Sequence, residues 1–315
     1  MRRLVLTLLA AALVASLAAP AASSATPRVA LGLGDQRATV FDDPRFRALR
    51  IKKVRYFVAW NAIRNRGRLA EADAYVAGAR RAGVRVLMHV SSDNLRRRRA
   101  RLPSVAQYRR NVGALVRRYR PQGVREWGTW NEANHDSQPT YRNPRRAAQF
   151  YVAMRGFCRG CTIVGLDLLD QRSRSISGFD RYIRAWFRAA GRSGRALRVV
   201  GIHNYSETNR FYTRNTRDII RAVRRHNRRT KLWFTETGGI AKFGNLRCNY
   251  RRQARATRYM LSIARRFRRD VTRLYPYNFY GTNCRSRFDA GLVNRTGSPR
   301  PAYRVLLREG RRFGR

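Results

Sequence analysis

Short runs of β-branched and aromatic residues recur along the chain. Each is followed by a stretch whose apolar residues fall three or four apart. The runs are VALGLG from residue 29, VRYFVAW from 54, VRVLMHV from 84, GVREWGTW from 123, CTIVGLDLL from 161, LRVVGIHNY from 197, KLWFTETG from 231 and VTRLYPYNFYG from 271. Their starts lie some 25 to 40 residues apart. That spacing leaves room for the crossover helix that a parallel strand pair requires. The intervening stretches read as helices. Val105, Tyr108, Val112, Leu115 and Tyr119 share one helical face with arginines opposite, and Ala254, Thr257, Leu261 and Ala264 share another. AEADAYVAGARRAG carries acids early and Gly83 at its end, a start and a stop.

Eight strand–helix units predict one closed (β/α)₈ barrel of the α/β class, a single domain over residues 26–315. An open doubly wound sheet is the alternative. It would be favoured by a glycine-rich phosphate loop, and GLGDQ at 32–36 lacks the spacing.

The first 25 residues read differently. Arg2 and Arg3 precede LVLTLLAAALVASLAA, and small residues follow in PAASSA. This is the pattern of a signal peptide, with a mature chain starting near Thr26. The apolar run is short for a membrane span, and an uncleaved anchor is the runner-up. No later stretch is apolar enough to cross a bilayer. The expectation is a protein that is secreted or held in the cell envelope.

In that setting the four cysteines read as two disulfides. Cys158 and Cys161 flank the start of the fifth strand. Cys248 and Cys284 follow the seventh and eighth strands, neighbours in a barrel. The expected bridges are 158–161 and 248–284. A single Cys-x-x-C gives no zinc site, and neither a metal nor another cofactor is expected.

Charge changes the picture in one respect. Lys+Arg number 69 and Asp+Glu 18, a formal net charge of +51. Such a field attracts anionic polymers. Codon bias, with arginine on every solvated helix face, accounts for the spread of arginines but not for the scarcity of acids. Non-specific affinity for anionic polymers, an acidic glycan among them, stays open, as does contact of the basic run 94–101 with such a substrate. No recognisable nucleic-acid module accompanies the charge.

Barrel active sites lie at the C-terminal ends of the strands. Polar and aromatic residues gather there: Trp60-Asn61, His89 with Ser91, Ser92 and Asp93, Asn131-Glu132, His203-Asn204-Tyr205, Thr235-Glu236-Thr237, and Tyr277, Asn278 and Tyr280. Glutamates ending the fourth and seventh strands face each other across the mouth. Such carboxyl pairs cleave glycosidic bonds, one donating a proton and the other attacking as an anion. Glu132, beside that negative charge, is expected to hold its proton to higher pH. The serines lack a Gly-x-Ser-x-Gly setting, which speaks against a serine hydrolase.

TWNEANH at 129–135 resembles the fourth-strand signature of the retaining glycoside hydrolases of clan A, which are (β/α)₈ barrels, and WFTETGG at 233–239 is similar to their nucleophile motif. The resemblance implies Glu132 as general acid/base, Glu236 as nucleophile and Asn131 on the sugar 2-hydroxyl. VRYFVAW resembles the second strand of the clan, so Arg55 would support the nucleophile. His89 matches the third-strand histidine. HNY at 203–205 matches the sixth strand, where Tyr205 would contact the nucleophile and His203 line the subsite. GSPRPAY at 297–303 is similar to the run into the last helix. Ala133 stands where proline is usual, and the eighth-strand tryptophan is absent, leaving Tyr277, Phe279 or Tyr280 to floor the site. Trp60 and Tyr277 are the expected aromatic substrate contacts. Asp35 and Gln36 are further candidates for sugar hydroxyls.

The leading expectation is a secreted retaining glycosidase acting on a poly- or oligosaccharide. Two alternatives stay open: a barrel that binds carbohydrate without cleaving it, and a cationic envelope protein that holds anionic polymers.

Overall fold

A computed structural model describes residues 28–94 and 100–314. The expected signal peptide lies outside these residues, as does most of the basic run 94–101. Among the described residues no helix is long and apolar enough to cross a membrane.

The strands are β1 (Ala30–Leu31), β2 (Leu33–Gly34), β3 (Lys53–Ala59), β4 (Arg85–Ser91), β5 (Glu126–Gly128), β6 (Thr162–Leu169), β7 (Val199–His203), β8 (Lys231–Thr237), β9 (Lys242–Phe243), β10 (Val271–Pro276) and β11 (Phe288–Asp289). The helices are α1 (Pro44–Ala48), α2 (Arg66–Arg81), α3 (Val105–Tyr119), α4 (Pro144–Phe157), α5 (Phe179–Ala190), α6 (Tyr205–Arg210), α7 (Arg214–Arg224), α8 (Tyr250–Arg266) and α9 (Pro301–Glu309). The first barrel strand is in two pieces, β1 and β2, parted at Gly32. One pairs with β10 and the other with β3, and every other pairing of the nine-stranded sheet is parallel too. The sheet thus returns to its own start, as the eight apolar runs predict.

The helices bury the faces read from their periodicity. Tyr108, Val112, Leu115 and Tyr119 of α3 are buried, and Ser104 with Gln107 forms a capping box at its start. Thr257, Leu261 and Ala264 of α8 are buried likewise. Both expected disulfides are present, 158–161 and 248–284. The second ties the loops after β8 and β10, beside the antiparallel pair β9 and β11.

Simple alternation does not bring all the functional side chains inward. Leu87, Val164, Val199, Trp233 and Tyr275 form a cluster in the barrel. From Trp233, alternation turns Thr235 inward and Glu236 outward. However, β8 carries an extra residue: Gly201 pairs Trp233 while His203 pairs Glu236. The irregularity recurs against β10, where Leu274 pairs Phe234 and Pro276 pairs Thr237. A bulge of this kind re-aims the side chains beyond it, and here Thr235 and Glu236 both face the interior. β6 has a similar shift between Val164 and Leu166, which brings Asp167 inward.

Candidate active site

Two glycines open space for the buried layer beneath the mouth. A Cβ on Gly128 would fall 2.1 Å from the His89 ring, and one on Gly201 would fall 1.9 Å from Asp167 Oδ1. His89, Asp167 and His203 fill this layer, each with 0% of its surface exposed.

Arg55, 1% exposed, joins the layer to the mouth. Its Nη1 donates to Glu236 Oε2 at 2.8 Å, its Nη2 to Asn131 Oδ1 at 2.6 Å, and its Nε to His89 Nδ1 at 3.0 Å. Tyr205 donates its hydroxyl to the other oxygen of Glu236 at 3.1 Å. Glu132 Oε1 lies 2.9 Å from His203 Nδ1, and Glu236 Oε2 lies 3.8 Å from the same nitrogen. These two carboxylate oxygens are therefore no further apart than the sum of those distances. Solvent reaches 19% of the Glu132 side chain and 11% of that of Glu236, while Arg55 and His203 behind them are dry. Both glutamates are open to a ligand at the mouth.

Glu132 adopts a positive φ of 43°. A non-glycine residue in this region holds strain unless its surroundings fix it. Here its amide donates to Asp167 Oδ2 at 3.1 Å, and the next amide, of Ala133, donates to Asp167 O at 2.8 Å.

Electrostatics correct one expectation. Burial alone would raise the Glu132 pKa, but the charge and hydrogen bond of His203 outweigh it and hold it below the usual glutamate value. Burial alone would lower His203, yet Asp167, Glu236 and Glu132 together push it up to about 10. Both directions favour an ionised Glu132 beside a protonated His203. Burial drives His89 the other way, to about 3, against the pull of Asp167. Asp167 is buried, which opposes ionisation, but His203, His89 and Arg55 hold it well below the usual carboxylate range.

The structure brings Arg55, His89, Asn131, Glu132, His203, Tyr205 and Glu236 together. Arg55 stands where support of the nucleophile was expected of it, whereas direct contact with substrate is not available to every residue named for it. Arg55, His89 and His203 present no surface to a ligand and stand behind the glutamates. Trp60 is 5% exposed and packs in the core, so its ring is no open sugar platform. Trp130 also packs, stacked on Phe150 with its Nε1 bonded to Gln138. Asp35 is spent on the backbone amides of Arg37, Phe279 and Tyr280, and Gln36 caps the amide of Phe57. Tyr277 is half-buried beside Phe57, its ring 5.8 Å away. Neither Phe57 nor Asp167 stands among the residues that the sequence motifs single out. The one trace of Asp167 is an acid inside the otherwise apolar run TIVGLDLL.

No protein-family model matches the sequence, and no curated protein matches it. Solved structures do. A family 39 glycoside hydrolase of Bacteroides cellulosilyticus superposes with a TM-score of 0.61 at 15% identity, over 90% of this chain. This chain spans only 63% of that protein. A family 10 glycoside hydrolase of Paenibacillus barcinonensis gives a TM-score of 0.62 at 14% identity, covering 90% of this chain and 96% of its own. An intracellular xylanase of Thermoanaerobacterium saccharolyticum, seen with xylotriose, gives 0.66 at 11% identity, covering 89% and 95%. The fold is the (β/α)₈ barrel that these glycoside hydrolases share. At such identities the likeness is one of architecture, and the chemistry has to be argued from the site.

Proposed function

We propose that the protein is a glycosidase that hydrolyses O-glycosidic bonds with retention of configuration. The observation that carries this reading is the placement of Glu132 and Glu236. They lie at the C-terminal ends of the barrel strands β5 and β8, close to one histidine nitrogen, and both meet solvent. Retaining enzymes hold their carboxyl groups roughly 5–5.5 Å apart, so that one attacks directly, whereas inverting enzymes leave room for a water. The upper bound on the separation of their nearer oxygens is compatible with direct attack.

In this mechanism Glu236, oriented by Arg55 and Tyr205, attacks the anomeric carbon. The bond to the leaving oxygen breaks as that oxygen takes a proton from Glu132. Water then gives a proton back to Glu132, its oxygen bonds the anomeric carbon, and Glu236 is released. Asn131 has its carbonyl oxygen engaged by Arg55, which leaves its NH₂ to donate to the sugar 2-hydroxyl. Tyr277 and Phe57 offer ring faces beside the glutamates. The substrate is a poly- or oligosaccharide, and the basic surface suits an acidic one. We further propose that residues 1–25 are a signal peptide and that the enzyme works outside the cell or in its envelope.

The test is a panel of aryl glycosides and cell-wall polysaccharides, with the product's anomeric configuration followed by NMR. Retention is expected. Glu236→Gly should abolish turnover, and small anions should restore it with inverted products. Glu132→Ala should spare the first step for very good leaving groups. Net inversion by the unaltered protein would sink the retaining reading. Full activity in either variant would sink the site, and binding without turnover would favour a non-catalytic barrel.

A further inference from the structure

We infer that Asp167 is a positioning residue for this reaction: it keeps a proton on His203 Nε2, so that His203 Nδ1 and Glu132 share one further proton between them. The inference rests on the glycosidase reading above. Its ground is geometric. Asp167 receives groups from five segments of the barrel. His203 Nε2 lies 3.0 Å from its Oδ2, and the Glu132 amide donates to the same oxygen at 3.1 Å. Thr235 donates its hydroxyl to Oδ1. Arg55 Nη2 and His89 Nε2 each stand 3.7 Å from Oδ2.

A bare Nε2 would set a lone pair against this buried carboxylate. With a proton there, the pair is a charge-assisted hydrogen bond. Arg55 Nη2 also lies near, 3.1 Å from Nε2. Nη2 carries two hydrogens: one goes to Asn131, and with Nε2 protonated the other is left to Asp167 Oδ2, 3.7 Å away. With Nε2 protonated, only Nδ1 varies. Nδ1 either donates to ionised Glu132 or accepts from protonated Glu132, across the same 2.9 Å. These two arrangements differ by the place of one proton.

That proton is the one the leaving oxygen needs. It passes from Nδ1 to Glu132 and on to the oxygen, leaving His203 neutral with Nε2 still protonated. Water returns it in the second step, through Glu132 to Nδ1. Asp167 touches neither substrate nor reacting atoms. It acts by orienting His203 and by pinning the left-handed backbone of Glu132. The other groups facing His203 are Glu236, 3.8 Å from Nδ1, and Arg55. Glu132 also faces His135 at 3.8 Å.

The experiment compares the full chain with Asp167→Asn by ¹⁵N NMR of the imidazoles and by pH–rate profiles. In the unaltered protein His203 Nε2 should carry its proton throughout the neutral range. Asp167→Asn should lower the His203 pKa by about one unit or more, because a carboxylate within hydrogen-bond reach is lost. The alkaline limb of kcat/KM should move to lower pH with it. For poor leaving groups kcat should fall by about 10²–10⁴, the usual worth of a positioned proton donor. Activated aryl glycosides should be largely spared, and KM little changed. An unaltered protein whose Nε2 is bare and accepts from Arg55 overturns the inference without any variant, so a variant that fails to fold leaves it testable. An unmoved His203 titration in Asp167→Asn overturns it too, as does equal loss for all leaving groups with an unshifted pH profile. No turnover of any glycoside by the unaltered protein overturns the glycosidase reading and the role in reaction, while the NMR signals still decide where the proton sits.

Discussion

Gly201 lies against Asp167 so closely that a β-carbon on Gly201 would come within 1.9 Å of the Asp167 carboxylate. The same carbon would lie 2.6 Å from Thr235 Oγ1. The absence of a side chain on β7 therefore lets an acid on β6 and a hydroxyl on β8 meet in the barrel interior. Gly201→Ala should force Asp167 out of its contacts with His203 and Glu132. Overpacking of this kind costs about 1–3 kcal/mol, with further loss if Asp167 is left buried and unpaired. Urea denaturation should show the loss of stability, and turnover should fall with it. A variant as stable and active as the parent would mean that the layer repacks freely.

Arg55 serves Glu236, Asn131 and His89 at once through three nitrogens. A lysine keeps the charge but not the planar fork. Arg55→Lys should therefore lower kcat/KM by about 10²-fold or more, the range seen when one preorganised donor is lost. Arg55→Ala should in addition destabilise the fold by about 3–5 kcal/mol, because buried carboxylates lose their partner. Steady-state kinetics and thermal unfolding separate the two effects.

Asp170 and Glu207 form a second acidic pair, outside the proposed reaction. Burial, and then the neighbouring Glu207, push Asp170 up to about 7. Burial raises Glu207 as well. An acid whose folded pKa exceeds its unfolded value near 3.8 contributes stability that is complete below that value. The contribution is lost as pH rises through the folded pKa. Stability should thus decline between about pH 4 and pH 7 on this account. Asp170→Asn should remove that part of the decline and gain relative to the parent at pH 8. Denaturant midpoints of both proteins across this range provide the check, and parallel curves would contradict it.

The excess of 69 basic over 18 acidic residues predicts adhesion to anionic polymers. Retention on an anionic matrix should fall steeply with added salt, because exposed charges are screened within about 10 Å at 0.1 M. Equal retention at low and high ionic strength would count against it. Salt-sensitive binding that survives replacement of both glutamates would separate this property from the proposed reaction.

Much of the candidate site is legible in the sequence. TWNEANH and WFTETGG marked the two glutamates, and the strand spacing told which loops would be neighbours, including those joined by Cys248 and Cys284. Asp167 is not legible, because it belongs to no short motif and its partners come from β3, β4, the loop after β5, β7 and β8, far away in the chain. The direction of the Glu132 pKa shift is hidden in the sequence for the same reason. Its sign depends on the 2.9 Å approach of His203, a distance that no spacing in the sequence encodes.

The sequence by itself determined the barrel. Alternating runs and amphipathic helices leave little choice, because each apolar strand must be covered and each parallel pairing needs a crossover. It also determined which residue types stand at the strand ends. The tertiary structure decided which way they face and which of them meet. One extra residue in β8 turns Glu236 and Thr235 inward together, and the shift in β6 does the same for Asp167. Bulges arise from the registry of neighbouring strands, and buried charges take their state from whatever the closed barrel places beside them. Both are properties of contacts between distant segments, and they exist only once the chain has closed on itself.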